Sequence, residues 1–184
     1  MQPLHRTVPG CNVGFSCSTV CNLGTERAMS GIPLPPMHTD QPTIYLAIKF
    51  HSDQRNRGLV EKIATELESR GMTTVCVARD FEKWGEIKLD AQDLMQVALD
   101  SIRQSDAVVI EFSEKGVGLG IEAGYASAHD IPVFVLHRSD AEVSTTLKGI
   151  SAEVIPYSGA DSLSAAVVSL IARIDPQLLE LHDR

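Results

Sequence analysis

From residue 43 onward, the sequence alternates short, continuously apolar segments with longer segments whose apolar residues recur at helical spacing. The short segments carry Ile, Val and Leu on consecutive positions, which is typical of strands buried on both faces. Strands that alternate with helices in this way form a parallel sheet with a helical layer on each face. The sequence therefore predicts a doubly wound α/β domain with a mostly parallel sheet, of the Rossmann-like or flavodoxin-like kind.

The order of the predicted elements indicates where a ligand would bind. The predicted sheet has five strands, at residues 43–50, 73–78, 107–112, 132–136 and 153–157. The predicted helices cover residues 57–70, a segment beginning at Asp90, residues 119–129, and a last segment capped by Asp161. Ligands of open α/β sheets bind beyond the carboxyl ends of the strands. We therefore expect three connecting segments, residues 49–55, 80–86 and 113–122, to meet at the site.

Residues 1–41 differ in composition from the rest of the chain. They carry repeated Gly and Pro and few acidic residues, and they show no sustained strand or helix period. Such a segment lacks the apolar residues that would hold it in a core. We predict a disordered or loosely attached tail, followed by one α/β domain over residues 42–184.

Charge and cysteine content exclude several classes of partner. The chain has 16 Lys and Arg against 24 Asp and Glu, a net charge of −8. It therefore has no basic face for a nucleic acid polymer. No apolar run approaches the ~20 residues of a membrane span. The four cysteines lack zinc-site spacing and the histidines form no metal-binding pair, so we expect no metal and a reduced compartment, the cytoplasm.

The densest chemical signal is the segment at residues 113–126. Gly116, Gly118 and Gly120 are predicted to remove Cβ atoms from a strand-to-helix turn, so that a sugar or phosphate can approach the backbone. Glu122 is predicted to lie in the first helical turn, where the helix dipole favours an ionised carboxylate. Such a carboxylate can attack an anomeric carbon. The alternative is structural: the glycines close a tight turn, and Glu122 only complements the dipole.

The glycine-rich segment also carries a family resemblance. Its G-x-G-x-E-x-G-Y-A pattern at residues 118–126 follows an apolar strand at 105–111 and precedes another at 131–135. Together with the first strand, this order resembles the nucleoside 2-deoxyribosyltransferase family, which includes the 2′-deoxynucleoside 5′-monophosphate N-glycosidases. The resemblance covers residues 43–157. It implies a small α/β fold, Glu122 as the nucleophile, a covalent deoxyribosyl intermediate, no metal or organic cofactor, and a homodimer or larger homo-oligomer.

The sequence departs from the family pattern at three places. Ala98 stands where the family usually carries an Asp, and Gly116 stands where the monophosphate hydrolases carry a Ser. Ile48 and Lys49 replace the Gly that usually closes the first strand. The nucleophile is thus retained without its usual acid–base partner. The base, the sugar, and the choice between hydrolysis and transfer remain open.

Other residues are candidates for binding a nucleoside or nucleotide. Lys49, His51 and Ser52 follow the first strand, and Lys49 can hold a phosphate or carboxylate; a solvated loop is the alternative. Trp84 either stacks on a base or covers an edge of the core. Two functions are consistent with these features: an N-glycosidase or deoxyribosyltransferase, and a non-catalytic module that binds a nucleotide.

Overall fold

The computed structural model describes residues 41–175, which form a five-stranded sheet with helices on both faces. The strands are β1 (Thr43–Ile48), β2 (Thr73–Val75), β3 (Ala107–Glu111), β4 (Val133–Arg138) and β5 (Glu153–Tyr157). The helices are α1 (Arg57–Glu68), α2 (Val77–Asp80), α3 (Ala91–Arg103), α4 (Val117–Ala128), α5 (Thr145–Ile150) and α6 (Ala160–Ile174). A short 3₁₀ turn covers Lys83–Gly85.

All neighbouring strands are parallel, and their order is β2-β1-β3-β4-β5. This is the flavodoxin-like order, so the prediction of a doubly wound α/β fold is confirmed. The order reverses between β1 and β3, whose register aligns Ile48 with Glu111 at their carboxyl ends. Ligand sites of such folds lie at this reversal. The fold therefore directs attention to the residues just beyond Ile48 and Glu111.

Alternate residues of each central strand point into two separate apolar layers. Ile44 and Leu46 of β1 pack with α1 and α6, whereas Tyr45 and Ala47 pack with α3, α4 and α5. All four side chains are almost fully buried. This burial on both faces explains why the strands are continuously apolar in sequence.

Several predicted boundaries were wrong. Strand β2 ends at Val75 instead of continuing to residue 78, because the Asp80 carboxylate accepts a hydrogen bond from the Cys76 amide at 2.8 Å and the chain turns into α2. Helix α6 has Gly159 as its N-cap, with φ of 106°, and Asp161 lies inside its first turn. The sequence reading also missed α5, which begins after Ser144.

Helix α4 begins at Val117, two residues before its predicted start, because Gly116 adopts an extended conformation and serves as its N-cap. Gly118 and Gly120 therefore lie within the helix and do not form a turn. Glu122 lies in the second turn, so the prediction that it belongs to the first turn was wrong. The effect of the helix dipole falls off within the first turn. The state of the Glu122 carboxylate must therefore be set by other groups.

The predicted tail at residues 1–41 lies outside the described residues, except for Gln41. None of the helices in residues 41–175 is both long enough and apolar enough to cross a membrane.

Candidate active site

Two cavities open at the carboxyl edge of the sheet. The first, which we call the Glu122 cavity, has a volume of about 190 Å³ and lies between β1, the α2 segment, α3 and α4. Its walls include Tyr45, Phe50, Glu82, Ala98, Gly118 and Glu122. The second, the Glu111 cavity, has a volume of about 280 Å³ and lies between β1, the start of α1 and the ends of β3, β4 and β5. Its walls include Lys49, His51, Arg55, Glu111, Arg138 and Tyr157.

Glu122 is held in its cavity by Tyr45. The Tyr45 hydroxyl donates a hydrogen bond of 2.8 Å to Oε1 of Glu122. Tyr45 is the third residue of β1 and is buried against the α3 and α4 layer, so its ring is fixed by the core. A neutral donor leaves the second carboxylate oxygen available for chemistry. Tyr45 of the central strand β1 thus orients the side chain of Glu122 on α4.

Burial raises the pKa of Glu122 to about 7, although the hydrogen bond from Tyr45 acts in the opposite direction. The expectation of a fully ionised carboxylate stabilised by the helix dipole was therefore wrong. Near neutral pH, the protonated and ionised forms are both populated. Burial, the charge of Glu122 and its hydrogen bond raise the pKa of Tyr45 well above its ordinary value, so Tyr45 stays a donor. A desolvated carboxylate in a cavity is characteristic of a functional site.

The remaining walls of the Glu122 cavity are mostly apolar. Ala98 is only 2% exposed and forms part of the wall contributed by α3, with Leu94 and Met95 beside it. No Lys, Arg or His lines this cavity among the described residues. Glu82 is the second carboxylate in the wall, and its pKa is raised by burial. The cavity thus offers two acids and an apolar surface to a ligand.

The glycines of α4 are not required by packing within residues 41–175. A Cβ atom added at Gly118 or Gly120 would meet no atom within 4 Å. Glycine within a helix costs about 0.8–1 kcal/mol relative to alanine. Gly118 lines the Glu122 cavity and leaves space there, whereas Gly120 does not line it. The structural alternative, in which the glycines close a tight turn, is wrong for Gly118 and Gly120 because both lie within α4.

Lys49 and His51 lie in the Glu111 cavity rather than beside Glu122. Nζ of Lys49 is 3.4 Å from Oε2 of Glu114, and Nε2 of His51 is 3.2 Å from Oε1 of the same carboxylate. Arg55 pairs with Glu114 at 3.2 Å. These cations therefore neutralise a carboxylate of the chain itself. The stem of Lys49 lies near Gly116, which lines the Glu122 cavity: a Cβ added at Gly116 would be 3.8 Å from Cγ of Lys49.

The floor of the Glu111 cavity is a hydrogen-bonded cluster. Glu111 is 4% exposed and accepts hydrogen bonds from the hydroxyl of Tyr157 at 2.8 Å and from the hydroxyl of Ser113. The Ser113 hydroxyl also accepts from the amide of Arg138 at 2.9 Å. The cluster ties together the ends of β3, β4 and β5 and provides hydrogen-bond partners for the buried Glu111 side chain.

The two remaining predicted residues lie outside both cavities. Ser52 is exposed in the turn after β1. Trp84 packs against the α1 and α6 layer, its carbonyl accepts a 2.6 Å hydrogen bond from Gln54, and the Arg57 guanidinium lies 4.9 Å from its ring centroid. The base-stacking role of Trp84 remains a prediction. Phe50, which is 43% exposed, lies in the wall of the Glu122 cavity, as does the buried ring of Tyr45.

Within residues 41–175, no group of three His, Cys, Asp or Glu side chains is arranged to hold a metal ion.

A comparison with protein families identifies the chain. The sequence model of the nucleoside 2-deoxyribosyltransferase family matches residues 44–158, more than half of the chain. The chain belongs to this family. The resemblance predicted from the sequence is confirmed, and with it the prediction that the protein is an enzyme. Among curated proteins, none matches this chain.

Several solved structures share the fold of this chain. The CMP N-glycosidase of Clostridium botulinum superposes with a TM-score of 0.54 at 16% identity, covering 70% of this chain and 98% of that protein. A 2-deoxyribosyltransferase from Bacillus psychrosaccharolyticus gives a TM-score of 0.52 at 14% identity, covering 66% and 90%. A conserved protein from Enterococcus faecalis gives 0.54 at 16% identity, covering 71% and 99%. At these identities the likeness shows the fold.

Sequence reasoning missed three residues of the Glu122 cavity: Tyr45, Phe50 and Glu82. Tyr45 had a detectable signal, since it is the one hydroxyl-bearing aromatic residue in the first apolar strand. Phe50 and Glu82 lie in the segments 49–55 and 80–86 that the sequence predicted to meet at the site, but no motif distinguished either residue from its neighbours.

Proposed function

We propose that this protein breaks the N-glycosidic bond of a nucleoside or nucleotide, with Glu122 as the nucleophile. The observation that carries the proposal is the Glu122 carboxylate, fixed by the 2.8 Å hydrogen bond from Tyr45 in a cavity at the carboxyl edge of the sheet. Its Oε atom attacks C1′ of the sugar while the bond from C1′ to the base breaks. The glycosyl-enzyme ester is then cleaved by water or by a second base.

The raised pKa of Glu122 fits this role. An attacking carboxylate that is poorly solvated is more reactive than one surrounded by water, and its charge is neutralised when the ester forms. The cost is that only part of the enzyme carries the ionised form near neutral pH, since the pKa is about 7. We expect base release to increase with pH through this region as Glu122 ionises.

The substrate class follows from the family and from the polar edge of the site. We propose that the base occupies the apolar Glu122 cavity and that the 5′ side of the sugar points toward Lys49. The stem of Lys49 lies beside Gly116, at the boundary between the two cavities. A 5′-phosphate there would compete with Glu114 for the Lys49 ammonium, which lies 3.4 Å from that carboxylate. Lys49→Gln should therefore raise KM for a 5′-monophosphate more than KM for the matching nucleoside.

The test is a screen of 2′-deoxynucleosides, ribonucleosides and their 5′-monophosphates, with released base measured by chromatography. A second base is added in parallel reactions to detect transfer. Glu122→Gln is compared with Glu153→Gln, a matched substitution at the opposite, amino end of β5. We expect release by the wild type and by Glu153→Gln, and loss of release in Glu122→Gln. Retained turnover in Glu122→Gln would disprove the nucleophile.

The alternative function is a module that binds a nucleotide without cleaving it. Ala98 favours it, because an apolar side chain stands where the family usually carries an acid. In the same screen this function predicts no release of base by the wild type, together with a rise in melting temperature when a nucleotide is added.

We also propose that the protein is a cytoplasmic homodimer or larger homo-oligomer. The family resemblance implies this assembly, and Leu178, Leu179 and Leu181 near the end of the sequence also favour it, but these leucines lie outside the described residues. Among the described residues, α4 exposes Val117 at 84% and Ile121 at 49%, and these form an apolar surface next to the proposed site. Sedimentation at micromolar concentration should show a species larger than the 20.0 kDa chain. A monomer alone would contradict the assembly and leave the proposed reaction intact.

A further inference from the structure

The proposed reaction requires a group that the family pattern does not supply in this chain. A base leaves C1′ readily only when a proton or a hydrogen bond reaches one of its nitrogen or oxygen atoms. Ala98 places a methyl group at the α3 wall of the Glu122 cavity, where the family usually has a carboxyl. Lys49 and His51 face the other cavity and pair with Glu114. The proton must come from elsewhere in the wall.

Glu82 is the remaining acid in that wall. It lies on the connection between α2 and α3, across the cavity from α4. Its side chain is half-buried, and no hydrogen bond or ion pair joins it to another residue in the described range. No Lys, Arg or His of residues 41–175 lines the cavity, so no cation of that range faces this carboxylate there. Burial raises the pKa of the Glu82 carboxyl above its ordinary value.

The backbone that follows Glu82 forms a constrained turn. Lys83 and Trp84 have positive φ values of 47° and 60°, which side-chain-bearing residues rarely adopt. The Glu82 carbonyl accepts hydrogen bonds from the amides of Gly85 at 2.8 Å and Ile87 at 2.9 Å. Trp84 is anchored to the start of α1 through Gln54 and Arg57. Backbone strain of this kind is characteristic of functional sites.

An apolar surface for a base lies on the same rim. The ring of Phe50 approaches Gly85, where an added Cβ would be 3.9 Å from its Cζ. Phe50 therefore stands beside the turn that follows Glu82, and both line the Glu122 cavity. Aromatic rings stack favourably on nucleobases. A base resting on Phe50 would present its polar edge near the Glu82 carboxyl, while its sugar faces Glu122.

We propose that Glu82 is the general acid–base residue of this enzyme and replaces the acid missing at Ala98. This inference rests on the proposed function. In the first step, Oε of Glu122 bonds to C1′, the bond from C1′ to the base nitrogen breaks, and the Glu82 proton passes to the base. In the second step, water attacks C1′, the ester to Glu122 breaks, and the Glu82 carboxylate takes the proton of the water. Both carboxyls return to their starting states.

The experiment compares Glu82→Gln with Glu86→Gln, a matched change at an exposed glutamate of the same connection that does not line the cavity. First-turnover base release is measured on the nucleoside cleaved in the screen and on its activated counterpart. The counterpart is a purine nucleoside methylated at N7, or a pyrimidine nucleoside with a 5-nitro group. These bases leave without receiving a proton. Thermal unfolding verifies that each variant is folded.

We expect Glu82→Gln to lower the rate on the ordinary nucleoside by about 10²–10⁴-fold, the usual contribution of general acid catalysis, and to stay close to wild type on the activated one. Glu86→Gln should match wild type on both. Over many turnovers, Glu82→Ala lacks the group that takes the proton of water in the second step. Added azide, which attacks C1′ without losing a proton, should restore this turnover of the activated nucleoside and yield a glycosyl azide.

Equal losses on both substrates would show a structural role, and unchanged rates on both would show no role; either result overturns the proposal. If Glu122→Gln is inactive while Glu82→Gln is fully active, the role of Glu82 falls and the proposed function stands. If the wild type releases no base from any compound, both fall.

Discussion

Replacing Glu122 by Gln should stabilise the protein above neutral pH. The carboxyl of Glu122 has a pKa of about 7 in the folded protein, against an ordinary value of 4.5. Between these two values, the unfolded chain loses its proton while the folded protein retains it. The folded state then binds more protons than the unfolded state, so stability decreases as pH rises through this window. Glutamine has the same shape, can accept the Tyr45 hydrogen bond, and does not ionise.

The magnitude follows from the difference between the two pKa values. One pH unit corresponds to 1.36 kcal/mol, so an ionised Glu122 costs the folded state about 3 kcal/mol above pH 8. At pH 5 the same calculation gives a loss of folded-state stability of less than about 1 kcal/mol. Because the sequence had placed Glu122 in the first turn of α4, it predicted a small stabilising charge instead. The structure reverses the sign.

The assay is chemical denaturation of wild type and Glu122→Gln at pH 5 and pH 8. The free energy of unfolding should be nearly equal at pH 5, and the variant should be more stable by about 2–3 kcal/mol at pH 8. Glu153→Gln, which changes a partly exposed residue paired with Arg173, should show no such dependence. An equal or lower stability of Glu122→Gln at pH 8 would show that the carboxylate is well solvated, and would refute the reasoning.

Three further predictions concern other parts of the site. Tyr45→Phe removes the hydrogen bond that lowers the pKa of Glu122. The acid side of the pH profile of base release should therefore move to higher pH, and the free energy of unfolding should fall by about 1 kcal/mol. An unchanged pH profile would contradict the hydrogen bond between Tyr45 and Glu122. Cys76 is buried with a pKa raised to about 11, so peptide mapping should find it alkylated by iodoacetamide only in denaturant, and labelling of the native protein would contradict its burial. Gly116→Ser places a favoured N-cap residue at the start of α4, where the nearest atoms to an added Cβ are those of Leu119 at 3.6 Å and Lys49 at 3.8 Å. The melting temperature should therefore rise slightly, and KM for 5′-monophosphates should fall relative to KM for nucleosides. An equal change in both KM values would argue against a phosphate beside Gly116.

The sheet was predictable because its signal is local and repeated. Each central strand is buried on both faces, so its apolar run is visible without knowledge of its neighbours. The errors fall where a single side chain changes the path of the backbone. The Asp80 carboxylate ends β2 early, and Gly116 starts α4 early, and neither effect is encoded in hydrophobic periodicity.

The candidate site was predictable only in part. Glu122 stands in a motif of fixed spacing, so the sequence alone was enough to make it a candidate. Its partners come from β1 and from the connection after α2, 77 and 40 residues earlier in the chain, and only the fold brings Tyr45 and Glu82 to the same cavity. Lys49 illustrates the reverse case. It directly follows β1, whose residues line the Glu122 cavity, but its side chain lines the Glu111 cavity instead.

The covalent role of Glu122 is the central claim, and a mass measurement on the quenched reaction tests it most directly. Wild-type protein is mixed with the nucleoside or nucleotide that it cleaves, quenched in acid within one turnover, and digested for peptide mass spectrometry. We predict a mass increase of one glycosyl group on the peptide that contains Glu122, with no such adduct in Glu122→Gln. Release of base with no adduct at Glu122, or an adduct on another residue, would contradict the account.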